Sequence, residues 1–249
     1  VNPAEMLRRG FDGAVVLVVG GHGDIGSAVC RQATELGAHV VAASRRGGAG
    51  AGPPAPGTAV SVVIDITDLS SVTSALRMVE EWFGRIDVLV NAAGITHSVP
   101  AHDLHLLTDE LIGEVFASNA MAPIRLLRES LPLLRQGTDA VVVQVSSVAA
   151  RMGQGSNIAY VGAKAALDAM TAAWARSLAP VRFVCVAPSA LSNTFVPGRP
   201  PEFFERTVAA TPLGRLATAD EVAAAVLVAA RAMPMTTGVT IAVDGGRHL

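Results

Sequence analysis

Short β-branched runs alternate with longer helix-like stretches along the chain, and this alternation constrains the fold more than any other feature. Residues 14–19, 39–43, 60–64, 87–90, 140–145, 182–186 and 240–243 form the runs. Each is almost continuously apolar, as a strand buried on both faces must be. The intervening segments 24–36, 69–82, 108–134, 158–178 and 219–230 read as helices. Strand–helix–strand repetition joins parallel strands by right-handed crossovers. The expected fold is therefore α/β, a Rossmann-type doubly wound parallel sheet of about seven strands with helices on both faces. Asp68 is placed to cap one helix, and Thr218 with Glu221 matches a capping box at another.

The 249 residues suit one domain, 1–249. Two segments break the pattern. Residues 47–57, rich in Gly, Pro and Ala, read as a mobile surface loop. Residues 189–215 read as an irregular lid bearing Phe195, Val196, Phe203 and Phe204, because long loops at the carboxyl ends of parallel strands line the ligand crevice.

A net charge of −2 without a basic stripe argues against a nucleic-acid partner. No apolar run is long enough to span a bilayer, and residues 1–13 are too mixed and charged for a signal peptide. Cys30 and Cys185 read as small core residues rather than a disulfide framework, which points to the cytoplasm. No metal site is expected.

The first strand runs into Gly20-Gly21-His22-Gly23-Asp24-Ile25-Gly26, followed by a helix. Glycines there let the backbone turn tightly and approach a diphosphate at the positive helix N-terminus. Asp24 is unusual, since a carboxylate repels phosphate; the expectation is that it caps the helix instead. The second strand ends in Ser44-Arg45-Arg46 with no acid, which favours the 2′-phosphate of NADPH over the free ribose of NADH. Asp65 ends the third strand, where it can meet adenine. Asn91-Ala92-Ala93-Gly94 ends the fourth, where small residues let a cofactor pass close to the sheet.

Tyr160 is the only tyrosine and Lys164 the only lysine, four residues apart. On a helix they share one face. An ammonium there is expected to lower the phenol pKa and make Tyr160 a general acid/base.

Together these residues resemble the short-chain dehydrogenase/reductase family, over nearly the whole chain from Gly13 onward. Ser147, thirteen residues before Tyr160, matches the family's catalytic serine, and Asn119 in Ser118-Asn119-Ala120 its helix asparagine. Thr237-Gly238 and Val243-Asp244-Gly245-Gly246 fit as well. The resemblance implies hydride transfer between a nicotinamide and a carbonyl or carbinol carbon. Ser147 would hold the carbonyl oxygen and Tyr160 would protonate it. Lys164 would bond the nicotinamide ribose and depress the Tyr160 pKa, and Asn119 would hold a relay water. It also extends the cofactor contacts to Ile25, Ile66, Pro188, Ser189, Leu191 and Asn193. Several positions depart from the family pattern. Val19 replaces the usual Thr, Asp24 the middle glycine, Ala92 the second Asn and Ser189 the usual Gly. At the usual nicotinamide-contacting threonine stands Asn193, or Thr194 one place on. Pairing of the helices bearing Asn119 and Tyr160 into dimers or tetramers is implied too.

The substrate expectation is an apolar, aromatic ketone facing the lid phenylalanines, Val99 and Met152, with Thr96, His97 and Gln154 orienting its polar groups. The chain resembles ketoreductases of fatty-acid, polyketide and antibiotic-tailoring pathways, and within them an aromatic polyketide tailoring ketoreductase of angucycline type. Gly94 is followed by Ile95-Thr96-His97-Ser98, not by the Pro-Gly-Gly of first-ring enzymes, which favours a later step. Two alternatives stay open. One is a 3-oxoacyl-thioester reductase whose carrier protein docks on Arg125, Arg128 and Arg135. The other, of a different class, is a non-catalytic NADP-binding regulator.

Overall fold

The computed structural model describes residues 2–48, 50, 52–191, 195, 196 and 198–249. Seven parallel strands form one sheet: β1 (Val15–Val19), β2 (His39–Ser44), β3 (Thr58–Val63), β4 (Val88–Asn91), β5 (Val141–Val145), β6 (Arg182–Pro188) and β7 (Val239–Val243). Their order is β3-β2-β1-β4-β5-β6-β7, so the winding reverses between β1 and β4. That reversal opens a crevice at the carboxyl ends of the strands. Every residue of β1, β4 and β5 is buried, which explains their continuous apolar runs.

The α-helices are α1 (Pro3–Phe11), α2 (Asp24–Glu35), α3 (Leu69–Phe83), α4 (Asp109–Phe116), α5 (Ala122–Arg135), α6 (Ala149–Met152), α7 (Ile158–Ser177), α8 (Pro201–Ala209) and α9 (Ala219–Arg231). On one face of the sheet α2 and α9 pack through Val29, Ala33, Val222 and Val226, and Phe11 of α1 closes the layer. On the other face α3 and α5 pack through Val72, Val79, Leu126 and Leu134, joined by Trp174 of α7. Asp68 caps α3 through Ser70 N, and Thr218 and Glu221 form the reciprocal capping box of α9, as the sequence predicts.

Two expectations are corrected. The segment 108–134 is not one helix: a π-helical turn, Ala117–Met121, separates α4 from α5. Pro123, which has no amide hydrogen, stands just beyond this wide turn at the start of α5. The lid segment is not wholly irregular, because Pro201, preset for a first helical turn, begins α8. In the segment 47–57, Gly48 N donates to Ser61 Oγ (3.0 Å), and Pro54 O lies 2.7 Å from His39 Nδ1. Among the described residues no helix is long and apolar enough to cross a membrane, and no His, Cys, Asp and Glu group could hold a metal ion.

Candidate active site

A cleft of about 1260 Å³ opens over the carboxyl ends of the strands. Its floor begins at the β1–α2 turn. Gly20 has φ +83°, and a Cβ there would stand 2.7 Å from the Ala92 backbone; one on Gly26 would stand 2.1 Å from Gly20 O. Only glycine lets these three segments meet. Gly23 is the N-cap of α2 and makes no side-chain cap, so no side chain there competes with an anion for the first-turn amides. This corrects the expectation for Asp24. It is the first residue of α2, not its cap, with its side chain exposed and its carbonyl accepting from Ser27 Oγ.

At the end of β2, Ser44, Arg45 and Arg46 line the cleft, as predicted. The sequence reading missed His22, whose ring lies between two hydroxyls: Nδ1 is 2.9 Å from Ser44 Oγ and Nε2 is 2.9 Å from Ser61 Oγ. Arg46 adds a hydrogen bond from Nη2 to His22 O. This polar, cationic shelf carries no carboxylate. Asp65 also lines the cleft, fixed by hydrogen bonds from Thr67 N and Oγ1. Ile25, Ile66, Ala92, Ala93, Gly94, Pro188, Ser189 and Leu191 line it too. Asn91 does not: its Nδ2 donates to Gln144 Oε1 (2.8 Å), tying β4 to β5 inside the sheet. Asn193 and Thr194 lie outside the described residues.

Ser147, Tyr160 and Lys164 come together in the middle of the cleft. Ser147 follows β5 and lines the cleft beside Tyr160, where its hydroxyl acts to lower the phenol pKa. Tyr160 is seated by the N-cap of α7: Asn157 Oδ1 accepts from Tyr160 N (2.7 Å), and Asn157 Nδ2 donates to His97 O (2.8 Å). Lys164 is 3% exposed, its Nζ donating to Val145 O (2.8 Å) and lying 5.8 Å from the Tyr160 ring centroid.

The electrostatics differ from the sequence expectation. Burial pushes the Tyr160 phenol up to about 12, opposed by the Ser147 hydrogen bond and the positive charge of Arg199. Lys164 is not among the groups that lower it. Burial instead pulls the ammonium down to about 8, against the influence of Cys185 and Asp168. Desolvation disfavours both charged forms and outweighs their attraction across this gap.

Asn119, in the π turn, stands behind the cleft wall. Its Nδ2 donates to Ile95 O and Val115 O, both at 2.8 Å, while its buried Oδ1 has no protein partner. A Cβ on Gly94 would stand 2.6 Å from that Oδ1 and 3.6 Å from Lys164 Nζ, so the glycine keeps the two polar atoms mutually accessible.

On the substrate side Met152, Gln154, Phe195 and Val196 line the cleft. Phe195 packs 6.2 Å from the Tyr160 ring. Phe203 and Phe204 do not line it; they pack edge-to-face on each other. Thr96 and His97 are also engaged elsewhere, with Ser156 and Glu114. Val99 is buried away from the cleft. The sequence reading missed Arg199 and Arg247 on this wall, because arginines in a loop and near a terminus read as solvated.

A family model described as Enoyl-(Acyl carrier protein) reductase matches residues 21–248. Over 243 residues the chain is 33% identical to a protein assigned as ketoacyl reductase 2 of the granaticin polyketide synthase in Streptomyces violaceoruber, covering 94% of this chain and 96% of that one. It is 28% identical over 244 residues to the 3-oxoacyl-(acyl-carrier-protein) reductase FabG of Escherichia coli strain K12, covering 96% and 99%. Among solved structures it resembles a short-chain dehydrogenase/reductase of glucose/ribitol dehydrogenase type from Brucella melitensis. The TM-score is 0.86 and the identity 26%, over 96% of this chain and 98% of that one.

Proposed function

The chain belongs to the short-chain dehydrogenase/reductase family, and on that premise we propose that it is an NADPH-dependent reductase of an aromatic polyketide ketone. The observation that carries this reading is the convergence of Ser147, Tyr160 and Lys164, the last one helical turn from the phenol, in a cleft continuous with the glycine turn.

The residues present fit a nicotinamide dinucleotide. The Gly20–Gly26 contact leaves the first amides of α2 facing the cleft for a diphosphate. Arg45, Ser44 and His22 offer donors to a 2′-phosphate. When bound, the nicotinamide supplies hydride to the carbonyl carbon. Ser147 then donates a hydrogen bond to the carbonyl oxygen, and Tyr160 gives its phenolic proton to the developing alkoxide. The raised Tyr160 pKa suits this direction, because burial keeps the phenol protonated at neutral pH. Arg199 and Ser147 stabilise the phenolate left behind. Lys164 holds the ribose hydroxyls, and Asn119 Oδ1 offers an acceptor for a relay water.

Met152, Phe195 and Val196 support an apolar ring system as substrate. The FabG relatives favour a second reading, a 3-oxoacyl thioester on a carrier protein. The arginines expected to dock such a carrier are partly engaged, Arg125 with Thr67 O and Arg128 with Glu129. Exposed Met121 and Ile124 around the π turn, and Ile158 at the start of α7, support self-association through these helices.

The test is NADPH oxidation, with NADH in parallel, against polycyclic aromatic ketones and 3-oxoacyl thioesters. NADPH-dependent reduction of the polycycles is expected. Turnover of thioesters alone would move the chain to acyl metabolism, and tight NADPH binding without any turnover would favour a regulator.

A further inference from the structure

Two arginines line the substrate side of the cleft. Arg199 lies at the entry to α8, its guanidinium stacked 4.1 Å over the Phe203 ring. Stacking holds the guanidinium plane but uses none of its five in-plane N–H donors. Arg247, beyond β7, donates from Nη1 to Ser189 Oγ (3.2 Å), while its buried Nε has no partner among the described residues. Among the described residues neither forms an ion pair. Both line the cleft; Arg199 is desolvated and repelled by Arg247, while Arg247 is desolvated and drawn to the carboxylate of Asp244.

Two half-buried like charges are costly side by side unless an anion joins them. The glutamate that lines this cleft, Glu114, pairs with His97 instead. We propose that Arg199 and Arg247 are a carboxylate-binding pair and that the natural substrate is a cyclic ketone carrying a carboxylate close to the reacting carbonyl. Arg199 and Tyr160 line the same cleft, on the wall where Phe195 packs 6.2 Å from the Tyr160 ring, so the anion it takes lies close to the carbon that is reduced. A carboxylate on the same ring system meets that condition. The phosphate at the far end of a pantetheine arm does not, because the whole arm separates it from the thioester. Forked guanidinium donors also match the planar carboxylate.

The inference rests on the ketoreductase reading for the identity of the ketone, and its test separates the two. Isomeric carboxy-1-tetralones and their methyl esters are titrated by calorimetry into NADPH-loaded protein. For at least one isomer the acid should bind about 10- to 100-fold more tightly than its ester, the range of a charge-assisted forked contact. Arg199→Gln and Arg247→Gln should each remove most of that preference, and Arg199→Lys should restore part of it. Equal binding of every acid and ester, or a preference that survives both Gln variants, would overturn the proposal. So would a parallel loss of NADPH affinity, which would assign the pair to the cofactor diphosphate. Arginine-dependent acid binding without NADPH oxidation by any ketone would support the carboxylate site and overturn the ketoreductase reading.

Discussion

Replacing Lys164 by Met should alter folding stability in a way that depends on pH, because the wild-type ammonium is held against its own desolvation. Burial lowers its pKa from 10.5 to about 8. The folded pKa lies below the unfolded one, so the unfolded chain binds more protons between these values and stability contributed by this site rises with pH. The cost of holding the charge is roughly 3 kcal/mol at pH 7 and roughly 1.5 kcal/mol at pH 9.5, from about 1.4 kcal/mol per pK unit. Met carries no such cost. It also leaves Val145 O without its 2.8 Å donor, a loss of about 1–3 kcal/mol that does not vary with pH. The two chains should therefore be similar in stability near pH 7, or Met slightly ahead. Wild type should gain on the variant by about 2 kcal/mol by pH 9.5.

Urea unfolding of both cofactor-free chains at pH 7, 8, 9 and 9.5, at one fixed protein concentration, reads this difference. Tyr160, Cys30 and Cys185 are pushed up to about 12, so their contributions are lost as pH rises through the unfolded values. These losses are common to both chains and largely cancel. A wild-type-minus-variant difference that stays constant from pH 7 to 9.5 would refute the claim that Lys164 is buried as a costly ammonium.

Three further outcomes follow from the same geometry. Tyr160→Phe should lower kcat by about 10²- to 10⁴-fold while NADPH affinity stays near wild type by fluorescence titration, and wild-type turnover would remove Tyr160 from proton transfer. NADPH affinity should be flat below pH 8 and weaken by up to about tenfold per pH unit above it as Lys164 loses its proton; Lys164→Met should abolish that inflection. His22→Ala removes the bridge between Ser44 and Ser61, so the kcat/KM preference for NADPH over NADH should fall by about tenfold, and an unchanged ratio would take His22 out of 2′-phosphate recognition.

What the sequence disclosed and what it hid divide along a physical line. Strands buried on both faces leave unbroken apolar runs, so all seven were legible, as were the Asp68 and Thr218 caps. The spacing of Ser147, Tyr160 and Lys164 was legible too, because a fixed chain separation on a strand end and a helix survives folding. Depth was not. Sequence spacing places Lys164 on the face of Tyr160 but does not say that both are buried, and burial reverses the expected effect on the phenol. Partners that arrive across the chain were hidden as well: His22 between two serines, Arg199 over Phe203, and Asn91 spent on Gln144.

That reversal bears on how a proton is returned to Tyr160. In a solvated peptide a lysine holds its proton about as tightly as a tyrosine, near pH 10 for both. In this fold burial separates them, pushing the phenol up to about 12 and the ammonium down to about 8. A phenolate formed by giving its proton to an alkoxide is then a much stronger base than the amine of Lys164, so passage of a proton from the lysine side towards Tyr160 runs downhill. A Cβ on Gly94 would crowd both Asn119 Oδ1 and Lys164 Nζ, so the glycine keeps this buried acceptor beside the lysine. In the reduction proposed above, burial would therefore rank the two groups so that Tyr160 draws its proton from the Lys164 side.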